Sequence, residues 1–126
     1  MTHYHRMSKR LPVQEVFDKI AKNQKGKIEL NGFHLNCTSL RMRTFFKKGV
    51  CCAGCGLAGS FFYIEKAKNS FKEAPHLNLY GLDSAGAEIL FTQDHIHPKS
   101  KGGPSSLENS QTMCGPCNWA KKDTLI

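Results

Sequence analysis

The sequence predicts a small α+β domain that is held together by a structural zinc ion. Its 126 residues suffice for one domain with a modest hydrophobic core. Segments with apolar residues at helical spacing occur beside short apolar and aromatic segments that are typical of strands. Two CxxC pairs lie far apart along the chain, and a metal bound by both would tie its two halves together.

The first predicted helix spans residues 12–23. Pro12 suits its first turn, where the proline ring presets the helical φ and the missing N–H is not needed. The segment QKGK then ends the pattern. The apolar residues at helical spacing are Val13, Val16, Phe17 and Ile20.

A hairpin and a second helix are predicted next. Asn31-Gly32 is a strong signal for a two-residue turn, so KIELNGFHL predicts two short paired strands. Thr38 or Ser39 can cap the second helix, and Gly49 can end it.

The second half is predicted to contain mainly strands and to end in a helix. Asp83 to Gly86 is expected to be a turn between two of the strands, and residues 97–108 have the composition of a surface loop. The predicted strands are residues 60–66, 76–82, 87–95 and 110–112, and the predicted helix is residues 117–123.

No part of the sequence indicates a membrane or export. No apolar run approaches the length of a membrane span, and the opening MTHYHRMSKRLPVQEVF lacks the apolar stretch of a signal peptide. We therefore expect a cytoplasmic protein without a membrane partner. In a reducing cytosol the six cysteines are expected to bind metal or to remain thiols.

The two CxxC pairs predict one four-cysteine zinc site. Two residues between cysteines let both thiolates reach the same tetrahedral ion, and the second pair completes the coordination. Free thiols are the alternative interpretation. Cys51 can in principle replace Cys52, although its spacing to Cys55 is less usual, and Cys37 is expected to be a buried thiol. The predicted ligands are Cys52, Cys55, Cys114 and Cys117.

Positive charge is concentrated in the first part of the chain. Residues 1–50 hold 11 of the 18 Lys and Arg but only 3 of the 10 Asp and Glu, whereas residues 51–126 hold seven of each. Such a distribution is expected of a protein that contacts a phosphate backbone. A solvated basic surface is the alternative.

A motif near the C-terminus points to a family. The segment DHIHP is followed by Asn109 and then by CGPCNWAKK. This order resembles the HNH endonuclease family over about residues 87–124. The segment SLRMRTFFKKGVCCAGCGLAGSFFYIEK also resembles the region that precedes the motif in small phage-type HNH proteins.

The resemblance implies a fold and a division of the chain. The α+β domain would contain a zinc-stapled ββα-metal nuclease core and a basic helical N-terminal extension. Residues 1–50 are then predicted to be the DNA-binding part, and residues 51–126 the nuclease domain. The implied location is the cytoplasm of a bacterium or of a phage-infected host cell.

Four residues of the motif are predicted to form the catalytic site. His95 is the expected general base, since imidazole titrates near neutral pH. Asp94 offers an oxygen ligand for a divalent metal, and the resemblance assigns a second one to Asn118. The family name implies a final His where this chain has Asn118, and an amide oxygen favours Mg²⁺ or Mn²⁺. By the resemblance, Asn109 bonds backbone across the loop and holds His95.

The positions of neighbouring residues add further expectations. Adjacent residues on a regular strand face opposite sides, so Asp94 and His95 can share a site only if the strand bends or ends there. His97 is expected to touch phosphate or to be an exposed spectator. Lys121 and Lys122 are expected to hold phosphates or to lie on a solvated helix face.

Together these features predict a metal-dependent HNH endonuclease that hydrolyses phosphodiester bonds in DNA. Both nicking and double-strand cleavage fit the sequence, as does any oligomeric state. The alternative function is a zinc-dependent DNA-binding module that does not cleave.

Overall fold

The computed structural model describes residues 4–23, 25–68 and 74–121. Helices and antiparallel strands both occur in these residues, as the predicted α+β class requires. The strands are β1 (Tyr4–Arg6), β2 (Leu11–Pro12), β3 (Lys27–Leu30), β4 (Phe33–Asn36), β5 (Phe61–Ala67), β6 (His76–Leu82), β7 (Glu88–His95) and β8 (Ser110–Cys114). The helices are α1 (Val13–Ala21), α2 (Leu40–Lys48), α3 (Gly115–Lys121) and a short 3-10 helix (Lys99–Lys101).

The main sheet joins both halves of the chain. Its strands run in the order β1-β5-β6-β7-β8, and β2 pairs with another part of β5. The short strands β1 and β2 were not predicted, because three and two residues are too few to give a periodic signal. The predicted boundary at residue 50 therefore crosses one sheet, and the assignment of DNA binding to residues 1–50 stays a prediction.

Local signals in the first half place its elements as predicted. The hairpin of β3 and β4 turns at Asn31 and Gly32, whose φ angles of 51° and 81° fit a two-residue turn that needs positive φ at both positions. The Ser39 side chain accepts a hydrogen bond from the Met42 N–H and so caps α2. Gly49, with φ 103°, follows its last turn.

The hydrophobic core lies between the sheet and the helices. Its fully buried members come from α1, α2 and five strands, so both N-terminal helices contribute to this core. They include Val16, Phe45, Phe62, Leu79, Phe91 and Met113.

A second, smaller apolar cluster of Phe61, Tyr63 and Tyr80 is covered by arginines. The Arg6 guanidinium lies 3.6 Å from the Tyr63 ring centroid, and that of Arg10 lies 4.3 Å from the Phe61 centroid. Arg6 also pairs with Glu65 and Arg10 with Glu88. These two N-terminal cations are thus already engaged in packing the sheet.

The strands β7 and β8 and the helix α3 form a ββα unit. In the antiparallel pair Asp94 lies opposite Gln111 and His95 opposite Ser110, and α3 begins directly after β8. The helix packs back against β7, so its residues face the end of that strand. None of the helices in the described ranges is long and apolar enough to cross a membrane.

Candidate active site and metal centre

The four predicted zinc ligands lie together. The Sγ atoms of Cys52, Cys55, Cys114 and Cys117 are all within 4.8 Å of one another. The first pair lies in the turn between α2 and β5, and the second pair lies where β8 passes into α3. Cys51 is exposed and is not in this group, and its backbone forms an isolated β-bridge with Ala58. Packing therefore distinguishes Cys51 from Cys52. Cys37 is a buried thiol, as expected, and burial raises its pKa to about 11.

The electrostatics of the cluster fit a bound cation. Burial opposes ionisation of Cys52, but backbone N–H donors, among them Gly54 and Cys55, outweigh it and lower the pKa of Cys52 to about 6. Hydrogen bonding to Cys114 together with burial raises the pKa of Cys117 to about 12. Four such close thiols cannot all become thiolates unless a positive charge lies among them. A tetrahedral four-sulfur donor set is the one that zinc prefers.

Gly54 allows the two cysteine pairs to approach each other. A Cβ at this position would lie 3.2 Å from both Cβ and Sγ of Cys117 and 3.2 Å from Cε of Met113. A side chain there would therefore push the first pair away from α3.

Three of the predicted catalytic residues line one cavity. The cavity has a volume of about 250 Å³ and lies at the end of β7. Asp94 and His95 both border it, and His95 is the last residue of β7. Its lining is Gln93, Asp94, His95, Pro98, Lys99, Ser100 and Asn118.

Asp94 is held by two donors on one oxygen. Its carboxylate is buried, and Oδ2 accepts hydrogen bonds from Gln111 Nε2 at 2.9 Å and from Lys121 Nζ at 3.0 Å. Lys121 Nζ also donates to the carbonyl oxygen of His95 at 2.9 Å.

The location of Lys121 differs from the two that the sequence predicted. It is 4% exposed, so it lies neither on a solvated face nor at the surface to hold phosphate. The sequence held one signal for this position: Lys121 is three residues after Asn118, which places both on the same helix face. Lys122 lies outside the described residues.

Asn118 lines the cavity, and its amide nitrogen is bonded to β7. Its Nδ2 donates to Thr92 Oγ1 at 2.8 Å, and the Thr92 hydroxyl donates to the carbonyl oxygen of Met113 at 3.0 Å. With the amide nitrogen held in this way, Oδ1 is the end available to a cation. A carboxylate and an amide oxygen are ligands suited to a hard divalent metal.

His95 and His97 contact the loop after β7. His95 Nε2 lies 3.1 Å from Ser105 Oγ, and His97 Nε2 lies 3.0 Å from the carbonyl oxygen of Lys101. His97 does not line the cavity that Asp94 and His95 share. Of the two histidines, His95 is therefore the one placed to act on a group in the cavity.

Asn109 lies outside the cavity and fastens the loop. Its Oδ1 accepts from the His97 N–H at 2.8 Å, and its Nδ2 donates to the carbonyl oxygens of His97 and Pro104 at 3.0 and 2.8 Å. The Ile96 N–H also donates to the Asn109 carbonyl oxygen. One side chain thus joins both ends of the loop that follows His95.

Comparison with known proteins identifies one domain in the chain. Residues 85–124 match the family model described as HNH endonuclease. The match includes β7, β8 and α3 and therefore the whole cavity lining, but it leaves out Cys52 and Cys55. No curated protein and no solved structure matches the chain significantly.

Proposed function

Because residues 85–124 match the HNH endonuclease family, we propose that this protein is a metal-dependent endonuclease that hydrolyses phosphodiester bonds in DNA. The observation that carries the proposal is the meeting of Asp94, His95 and Asn118 at one cavity of a ββα unit. A base, a carboxylate and an amide oxygen around one small cavity are the groups that such hydrolysis needs.

His95 is the proposed general base. An imidazole can take the proton of an attacking water, and His95 borders the cavity that contains the other proposed groups. The contact of Nε2 with Ser105 fixes one edge of the ring. Asn109 supports the base by holding the loop that carries Ser105, and it takes no proton itself.

Asp94 and Asn118 are the proposed ligands of Mg²⁺ or Mn²⁺. Gln111 and Lys121 both bind Oδ2 of Asp94, which leaves Oδ1 for a metal. Thr92 similarly orients the Asn118 amide. A bound divalent ion would stabilise negative charge on the phosphate and on the leaving oxygen.

The four-cysteine cluster is proposed to hold structural zinc. Cys117 immediately precedes Asn118, so a metal at the cluster would set the start of α3 and with it the direction of Asn118. Stable zinc–thiolate bonding suits the reducing cytoplasm in which we propose that the protein acts. Residues 1–50 would add positive charge for DNA binding.

One observation favours the second candidate, a zinc-dependent DNA-binding module without cleavage. The Lys121 ammonium already neutralises Asp94, the carboxylate that a divalent metal would use. A protein that binds DNA but gains no activity with Mg²⁺ or Mn²⁺ would fit this candidate.

Plasmid cleavage decides between the two candidates. We expect wild type to cut supercoiled plasmid only with Mg²⁺ or Mn²⁺, and His95→Ala to cut about 10²–10⁴-fold more slowly with unchanged zinc content and DNA affinity. His34→Ala is the matched control, because His34 is exposed on β4 and pairs with Glu29. If His95→Ala cuts at the wild-type rate, the active site lies elsewhere.

A further inference from the structure

A second cavity borders Thr92, two residues before Asp94 on β7. It has a volume of about 340 Å³, and its lining residues, most of which are polar in type, come from β1, the start of α2, β6 and β7. Thr92 belongs to its wall, and the hydroxyl of Thr92 accepts the hydrogen bond from Asn118, which lines the first cavity. Thr92 and Asp94 are two residues apart on β7, which places them on one side of the strand about 7 Å apart.

Arg41 is the principal cation of this second cavity. It is half-buried on α2, and its guanidinium donates to Asn78 Oδ1 at 3.1 Å and to the Leu77 carbonyl oxygen at 2.9 Å. Both acceptors are neutral. Across the ranges that the structure describes, the ion pairs involve other cations, and none joins Arg41 to a carboxylate.

A half-buried guanidinium with only neutral partners keeps an uncompensated charge. Burial accordingly lowers the pKa of Arg41, because desolvation disfavours the cation. Buried charges are normally compensated by an opposite charge. Since a guanidinium has five N–H donors, the two bonds above leave donors for an anion.

The other polar groups of the cavity are donors or neutral acceptors. The rings of His76 and Tyr4 pack edge to face, with their centroids 5.8 Å apart, and both residues line the cavity together with Arg41. Ser39, the cap of α2, completes this side. The described lining contains no carboxylate that would repel an anion.

We propose that the Arg41 cavity binds a phosphate of the DNA strand being cleaved, next to the phosphate held at Asp94 and His95. This assignment rests on the proposed function and adds the position of the cleaved strand on the protein surface. Arginine suits the role because its planar fork matches phosphate oxygens. Because Thr92 borders one cavity and Asp94 the other, consecutive parts of one DNA strand would lie in the two cavities.

DNA binding without added divalent metal tests the subsite apart from cleavage. For the full chain we expect Arg41→Gln to weaken binding of a short DNA duplex about tenfold and to reduce the salt dependence by about one counterion. His76→Gln should act in the same direction with a smaller effect. Arg43→Gln is the matched control: it removes one charge from the same helix outside the cavity and so measures the general contribution of residues 1–50 to DNA binding.

The outcomes separate the subsite from the proposed function. Wild type that binds and cuts DNA, with Arg41→Gln and Arg43→Gln equal in affinity and salt slope, would overturn the subsite alone. Wild type that does not bind DNA would overturn both. If Arg41→Gln does not fold, the His76→Gln comparison with wild type decides. Tight binding of inorganic phosphate with unchanged DNA affinity in the variants would assign the cavity to a free anion and also overturn the proposal.

Discussion

Lys121 and Asp94 form a buried ion pair that fastens α3 to the end of β7, with Nζ 3.0 Å from Oδ2. The two side chains are 1% and 8% exposed, so water screens their attraction little. Because Lys121 also binds the carbonyl oxygen of His95, one ammonium group orients both residues proposed for catalysis.

Removal of this ammonium should destabilise the protein. Lys121→Met would leave the Asp94 carboxylate buried without its charged partner, and loss of one partner of a buried pair costs about 3–5 kcal/mol. Denaturant unfolding with zinc saturated measures the change. Lys99→Met, an exposed lysine at the same cavity, should stay within about 0.5 kcal/mol of wild type. Equal stabilities of the two variants would contradict the structural role of the pair.

Asp94→Ala should fail differently from His95→Ala. The first variant should bind divalent metal more weakly, so excess Mn²⁺ should restore part of its cleavage. The second lacks the imidazole, which no metal concentration replaces. Calorimetric titration of Mn²⁺ into each variant without DNA gives an independent measurement. Unchanged Mn²⁺ affinity in Asp94→Ala would remove Asp94 from the metal site.

Cys114→Ser should lose zinc and much of the fold's stability together. The ligand pairs are separated by 58 residues, so the metal closes a long loop that links the two halves of the domain. Metal analysis and thermal melting measure both effects. Cys51→Ser, which alters an exposed thiol beside the cluster, should keep its zinc. A fully folded wild type without metal would argue against a structural site.

Two variants of Asn109 should distinguish the hydrogen bond that its side-chain oxygen accepts from those that its nitrogen donates. Asn109→Asp keeps an acceptor for the His97 N–H but loses the donor to the carbonyl oxygens of His97 and Pro104, whereas Asn109→Ala loses all three bonds. We expect cleavage to fall in the order wild type, Asn109→Asp, Asn109→Ala, His95→Ala. Hydrogen exchange at His97 should rise in the alanine variant, and unchanged exchange would show that the loop does not depend on Asn109.

Two neighbouring glycines should respond unequally to alanine. At Gly103 a Cβ would lie 1.9 Å from the His97 carbonyl oxygen, so the loop backbone must move. At Gly102 no atom lies within 4 Å, and only the positive φ of 88° opposes a side chain, at about 1–2 kcal/mol. Gly103→Ala should therefore lose more cleavage and more thermal stability than Gly102→Ala. The reverse order would show that His97 and Gly103 do not constrain the loop.

Short-range patterns in the sequence were sufficient for most elements and for the family. Asn31-Gly32 specified a hairpin, and Ser39 and Gly49 marked the ends of α2, because turns and caps depend on a few adjacent residues. The order of Asp94, His95, Asn109, Cys114, Cys117 and Asn118 predicted the HNH family, which the match over residues 85–124 confirms. This order of residues could not show that Asp94 and His95, although adjacent on β7, border the same cavity.

The tertiary structure determined which residues with similar local sequence signals come into contact with a site. Cys51 and Cys52 have nearly the same spacing, but only Cys52 is buried beside the second pair. Lys121 resembles a surface lysine in the sequence, yet helix packing places its ammonium on Asp94, 27 positions earlier. Arg41 counts toward the N-terminal charge, yet it contacts β6 beside a cavity. These positions follow from strand pairing and helix packing between distant segments, so they depend on burial and electrostatic compensation that no local pattern records.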